Sequence, residues 1–203
     1  MKVELHCHTS RYSGCATATP AELMERLVQT GYEAVFLTEH DAVWPDWEIA
    51  QLQDGWPDIR IFGGVELSLP GDPMVHLLVL GTSDPAYLAL RAEPAAILDK
   101  ARTEGHLTVL AHPFRWAGAA EMLEAGLLPD ALEHLTRNHD APRAAVAKAQ
   151  AERLGLAIVN AGDTHGLDFL NHFWIETDQP LAKPDDIRAA ILNRAYVNCS
   201  RDA

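Results

Sequence analysis

Val3-Glu4-Leu5-His6-Cys7-His8 is the stretch on which the fold turns. Side chains of an extended strand alternate between faces, so His6 and His8 project the same way at the strand's end. The placement recurs down the chain. Ala34-Val35-Phe36-Leu37 runs into Thr38-Glu39-His40-Asp41, and Ile61-Phe62-Gly63-Gly64-Val65 runs into Glu66. Leu107-Thr108-Val109-Leu110-Ala111 leads to His112-Pro113, and Ala157-Ile158-Val159-Asn160-Ala161-Gly162 leads to Asp163-Thr164-His165. Near-continuous apolar strands predict a parallel sheet covered on its outer side. Closed α/β barrels collect their chemistry at the carboxyl ends of the strands, so these strand ends predict one convergent site.

The residue types define what that site can do. Imidazole and carboxylate suit divalent transition metals, and crowding them together is costly unless a cation neutralises the group.

Helical segments fill the intervals. Residues 20–30 begin with Thr19 as a cap and Pro20 at the first helical position, and stop at Gly31. Leu23, Leu27 and Val28 form an apolar stripe there. The spacing predicts further helices over 86–104, ending at Gly105, over 142–154, ending at Gly155, and over 184–194. Ala131–Leu135, Phe173–Ile175 and Ala195–Asn198 read as shorter strands. The stretch 42–58, with Pro45, Pro57, Trp44, Trp47 and Trp56, reads as loop, and Leu69–Pro73 as a turn between strands.

At 203 residues the chain is sized for one domain spanning 1–203, with a substantial core. Its 16 Lys and Arg against 29 Asp and Glu give a formal charge of −13. Nucleic-acid binding needs a positive surface, so this balance weighs against it. A small phosphorylated substrate stays compatible, because bound cations make a site locally positive. Three unevenly spaced cysteines do not make a disulfide framework. The start lacks a secretory apolar region and no segment is long enough to cross a bilayer, so the cytoplasm is the expected location.

His6-Cys7-His8-Thr9, Thr38-Glu39-His40-Asp41, Gly64-Val65-Glu66, Ala111-His112-Pro113 and Gly162-Asp163-Thr164-His165 resemble, in order, the motifs of the PHP family, the polymerase and histidinol phosphatase superfamily. The resemblance implies a distorted (β/α)7 barrel, a metal site at the carboxyl ends of its strands, and phosphoesterase chemistry. It implies two or three divalent ions (manganese, zinc or iron). His6 and His8 would hold a first metal with Asp163. Glu66 would bridge it to a second, completed by His76 and His112, and His40 and His165 would hold a third. The activity implied is hydrolysis of a small phosphate monoester such as a nucleotide, a sugar phosphate or a histidinol-phosphate-like compound.

One departure concerns the third ion. Where many relatives carry an Asp or His six or seven residues after His8-Thr9, this chain has Gly14 and Cys15. Cys15 is either a thiolate ligand for a softer metal or an inert side chain, so two ions are preferred to three. His76 begins the apolar run Leu77–Leu80 instead of ending one, and a buried histidine bonded to backbone competes with the ligand reading there.

Asp163, His165 and Arg115 are assigned to the reacting centre. Arg115 lies three residues beyond His112, where a guanidinium can grip phosphate oxygens as a fork. Arg11 is a second substrate-binding candidate, with a surface role ahead of it. Asp41 either orients an imidazole or caps a loop. Trp44, Trp47, Trp56 and Trp116 can stack on a ring, although core or loop anchoring is the commoner role. His106, His134, His139 and His172 carry no motif and read as surface or structural. Two other classes remain open: an amidohydrolase-like enzyme cleaving C–N or C–O bonds, and a non-catalytic metal-binding module.

Overall fold

The computed structural model describes residues 1–71 and 74–201. Its elements run β1 (Lys2–Cys7), α1 (Pro20–Gln29), β2 (Ala34–Leu37), α2 (Asp46–Gly55), β3 (Arg60–Leu69), β4 (Val75–Leu80), α3 (Ala86–Ala89), α4 (Pro94–Glu104) and β5 (Leu107–Leu110). They continue with α5 (Gly118–Glu124), β6 (Ala131–Glu133), α6 (Ala141–Leu154), β7 (Ala157–Val159), β8 (Phe173–Thr177), α7 (Asp186–Leu192) and β9 (Tyr196–Ser200).

The nine strands form one sheet in the order β7-β6-β5-β4-β3-β2-β1-β8-β9. It curls until the chain just after β7 meets β1. Cys7 and Thr164 form a parallel bridge, with His8 N donating to Thr164 O at 2.8 Å and Thr164 N to His6 O at 3.1 Å. Further down, β8 pairs with β1 through Lys2 and Val3. Side chains of β9 then reach back to β7: Tyr196 Oη donates to Ile158 O at 2.6 Å, and Asn198 Nδ2 to the same oxygen at 2.9 Å. The expected distorted seven-stranded barrel is therefore present, nearly closed, with a two-stranded extension wedged into its seam.

The sheet is not wholly parallel, contrary to what the apolar runs suggested. Strand β4 is antiparallel to both β3 and β5. An apolar run shows burial on both faces but not strand direction. The reversal matters for the site, because the first turn of β4 lies beside the carboxyl ends of its neighbours.

Inside the barrel, Val3 and Leu5 pack with Phe36, Leu78, Val109 and Val159. Cys7 instead joins Val35 and Leu37 under Leu23 and Leu27 of α1. The register of β1 against β2 shifts between Glu4 and Cys7. Such a bulge changes the alternation, so His6 and His8 take over the side that Val3 and Leu5 face lower down.

Helix α1 is capped by Thr19 as anticipated, and Glu22 completes a capping box with it. Two other segments differ from the periodicity. The helix anticipated over 86–104 is two, α3 and α4, because Pro94 lacks an N–H and starts a helix more readily than it continues one. The segment 42–58 holds α2, whose first turn carries Asp46 and Glu48 at the positive end of the helix dipole. Part of the turn anticipated at Leu69–Pro73 lies outside the described residues.

Candidate metal centre

His6, His8, His40, Glu66, His76, His112, Asp163 and His165 all meet at the carboxyl end of the barrel. Glu66, midway along β3, is the hub. Its Oε2 lies 2.9 Å from His40 Nδ1, 3.1 Å from His6 Nε2 and 3.2 Å from His8 Nε2. Its Oε1 lies 2.7 Å from His76 Nδ1 and 3.2 Å from His112 Nε2. Asp163 Oδ1 stands 3.4 Å from His6 Nε2 and 3.5 Å from His8 Nε2. His40 Nε2 faces His165 Nε2 at 3.3 Å.

These atoms fall into three overlapping groups of potential ligands: His6, His8, Glu66 and Asp163; His40, Glu66 and His76; and His8, His40 and His165. The first matches the set implied for the first ion, its bridging Glu66 included. The second pairs His76 with His40 where His112 was anticipated. His76 reaches Glu66 because β4 is antiparallel, so its doubtful position at the start of a strand is what brings it to the site.

The donor set fits cations. Glu4, Glu39, Glu66, Glu133 and Asp163 are buried, and among the described residues no lysine or arginine is buried with them. Glu66 Oε2 and Asp163 Oδ1 make no hydrogen bond despite the surrounding imidazoles. A buried charge left in that state is very costly. His6 and His8 bring their Nε2 atoms within 3.0 Å of each other. Two lone pairs cannot share that space, so a proton or a cation must stand there.

Supporting bonds decide which ring nitrogen faces inward. His6 Nδ1 donates to Glu133 Oε1 at 2.7 Å, while Glu133 Oε2 accepts the His112 backbone N–H at 2.5 Å. His8 Nδ1 pairs with Ser13 Oγ at 3.2 Å, and Ser13 Oγ donates to Glu39 Oε2 at 2.5 Å. Glu39 also accepts from Thr9 and from the Trp44 indole. Asn138 Nδ2 donates to Asp163 Oδ2, leaving Oδ1 for the cluster. His112 and Asp163 take left-handed backbone, φ 28° and 47°, a strain that collects at functional sites.

Electrostatics follow the crowding. Burial disfavours the charged form of His6, but Asp163, Glu66 and Glu133 outweigh it and raise its pKa well above the ordinary value. His8 shifts upward on the same balance of burial against Asp163 and Glu66. Burial alone would raise Glu66, yet His6, His112 and His40 hold it well below the usual carboxylate range. Burial and the neighbouring His8 lower His165. Burial pushes Glu4 up to about 7, against the N–H groups of Gly162 and His6.

Arg115, Trp116, Cys15, Thr17, Arg137, Asn138 and Phe169 line, with the histidines and Asp163, a cavity of about 480 Å³ over the cluster. Cys15 is at this rim but outside the ligand groups. Arg11 pairs with Glu48 at 3.0 Å and does not line the cavity. Asp41 bonds the Ser68 N–H and Arg91, so it fastens a loop and does not orient His40. Trp116 sets its ring against His76 and His112, a wall of the site. Trp44 is buried and bonded to Glu39, whereas Trp47 is exposed. His139 is buried, its Nδ1 bonded to His134 O, in a structural role. Glu133, Glu4, Ser13 and Asn138 were not singled out from the sequence. Glu133 had a signal: like Glu66, it is an acid closing an apolar run.

The fold and cluster define a class, the α/β barrel with a histidine–carboxylate centre at its strand ends. No family model matches the chain. It is 16% identical to a two-domain protein from Bacteroides vulgatus containing a predicted PHP-like metal-dependent phosphoesterase, with TM-score 0.72 over 98% of this chain and 64% of that one. An amidohydrolase from Chromobacterium violaceum, solved with sulfate and no metal, superposes with TM-score 0.66 at 17% identity, over 100% of this chain and 99% of the other. In sequence, 101 residues are 34% identical to an error-prone DNA polymerase of Mycobacterium bovis, covering 46% of this chain and 9% of the polymerase. The chain thus spans about a tenth of the polymerases it matches. At these identities the likenesses show that the chain shares the fold of those solved structures.

Proposed function

We propose that the chain is a metal-dependent phosphoesterase that hydrolyses a small phosphate monoester. The observation that carries this reading is Glu66, buried, with one oxygen toward His6, His8 and His40 and the other toward His76 and His112. A carboxylate so placed can bridge two cations, and neutral imidazoles complete their shells without adding charge. We assign His6, His8, His40, Glu66, His76, His112, Asp163 and His165 as the ligand set, two ions being the minimum it serves. Divalent cations held there would acidify water and draw charge from phosphoryl oxygens.

The chain's own groups do the rest. Arg115 makes no ion pair among the described residues, and its guanidinium lies 4.6 Å from the Trp116 ring centroid. It is therefore free to offer its fork to the equatorial oxygens of the reacting phosphate. Imidazoles engaged as ligands have no free lone pair, so none is assigned as a general base. Asn138 holds the outer oxygen of Asp163 and keeps the inner one aimed at the centre.

A second reading, C–N or C–O hydrolysis, is favoured by the fold shared with the Chromobacterium amidohydrolase. Elemental analysis coupled to a phosphate-release screen over nucleotides, sugar phosphates and histidinol phosphate separates the two. Phosphate release by the metal-loaded chain supports the proposal. Turnover of amide or ester substrates alone would transfer the assignment to the second reading.

A further inference from the structure

Arg137 is the second cation of the cavity, and the sequence offered no motif to mark it. It sits in the turn between β6 and α6, where Thr136 and His139 form an isolated bridge. Its neighbour Asn138 is bonded to Asp163, which ties this turn to the centre. The guanidinium carbon lies 4.2 Å from the Phe169 ring centroid. Among the described residues Arg137 and Arg115 have no carboxylate or carbonyl partner, as is also true of the exposed Arg26 and Arg60, but Arg137 and Arg115 are the two that line the cavity. Both are exposed at the cavity rim, so their N–H donors stay available to an anion that enters it.

The two guanidiniums are mounted on different rings. Arg115 rests on Trp116, which packs against His76 and His112. Arg137 rests on Phe169, four residues beyond His165. His40 stands 5.5 Å, centroid to centroid, from both His76 and His165. Stacking on a ring preorganises a guanidinium without using its N–H donors.

We propose that Arg137 forms a second anion subsite, so that the substrate carries, besides the phosphoester at Arg115 and the centre, a further phosphate or carboxylate group. This rests on the phosphoesterase reading and narrows it to doubly anionic monoesters. A planar fork accepts either oxyanion as a bidentate partner, with charge-assisted bonds about twice as strong as neutral ones.

The test compares the metal-loaded wild type with Arg137→Met and Arg137→Lys on phenyl phosphate, carboxyphenyl phosphate and a phenylene bisphosphate. The readout is the ratio of kcat/KM for each doubly anionic ester to that for phenyl phosphate. The wild type should favour at least one doubly anionic ester by roughly ten- to hundredfold, the worth of a charged hydrogen-bonded pair. Arg137→Met should bring the ratio toward one, and Arg137→Lys should leave an intermediate value. Calorimetry with ethylphosphonate, phosphonopropionate and propylene bisphosphonate gives the same comparison without turnover, and the preferred probe shows whether the second group is carboxylate or phosphate. A wild type that cleaves phenyl phosphate without preferring a second anion overturns this inference and leaves the proposed function standing. A ratio that survives Arg137→Met overturns it as well. No phosphate release from any ester, with none of the probes bound, would sink the phosphoesterase reading itself.

Discussion

Glu133 and His6 are 127 positions apart and meet at 2.7 Å, carboxylate oxygen to Nδ1. A carboxylate only accepts, so the proton of this pair belongs to Nδ1, and Nε2 is turned toward Glu66 and Asp163. The other Glu133 oxygen holds the His112 backbone. One side chain therefore orients groups from β1 and from the end of β5.

Glu133→Gln should weaken metal binding by roughly 10–100-fold, because an amide must turn its NH₂ toward one of two donors that now face oxygens. Competition against a chromophoric chelator measures this. Affinity within twofold of wild type would show that Glu133 is merely packed.

His8→Ala and Asp163→Ala should each remove metal and phosphate release together. Elemental analysis of the purified variants is the check. A variant at either position that is metal-replete and fully active would contradict the ligand assignment.

Metal uptake should strengthen as pH rises. His6 and His8 have raised pKa values, because Asp163 and Glu66, with Glu133 beside His6, outweigh the burial that opposes the charge. Below those raised values each ring holds a proton that a cation must displace; above them no proton competes. Calorimetry in buffers of different ionisation enthalpy should find proton release on binding that fades toward high pH. Release that grows with pH would reverse the sign.

Removing metal should destabilise the fold. Buried carboxylates lose their counter-charge, and a ligand at 100 times its Kd contributes about 2.7 kcal/mol to the native state. For a chain of this size that corresponds to a fall of roughly 5–10 °C in Tm on chelation, read by scanning calorimetry. An unchanged Tm at saturating chelator would mean that the cluster is not occupied.

Gly162→Ala should cost about 1–3 kcal/mol. A Cβ there would stand 2.6 Å from Glu4 Oε2 and 2.5 Å from Thr164 Oγ1. The Gly162 N–H donates to Glu4 Oε1 at 2.7 Å, so the carboxylate cannot retreat without losing a bond. Denaturant titration checks the loss.

Much of this site was legible before any fold was known. A histidine or acid at the end of an apolar run marks a strand's carboxyl end, and that local rule found His6, His8, His40, His112, Asp163 and His165, and also Glu66, although β3 runs on past it to Leu69. It could have found Glu133, which closes Ala131-Leu132 in the same way. The rule left His76 in doubt, because it opens its strand. Helix α2 was hidden by Pro45 and by an irregular apolar pattern, and the break between α3 and α4 by an apolar periodicity that continues across Pro94.

What the chain specifies locally is therefore the kind of element and the chemistry at its end, since alternation and turn residues act over a few positions. Which strands become neighbours, and in which direction, is set by closure of the barrel and by packing over long separations. That packing reversed β4 and brought His76 to Glu66, aimed His6 through Glu133, and set Arg137 on Phe169 beside the cavity. None of those pairings follows from residue spacing, because each depends on burial that exists only once the barrel has closed.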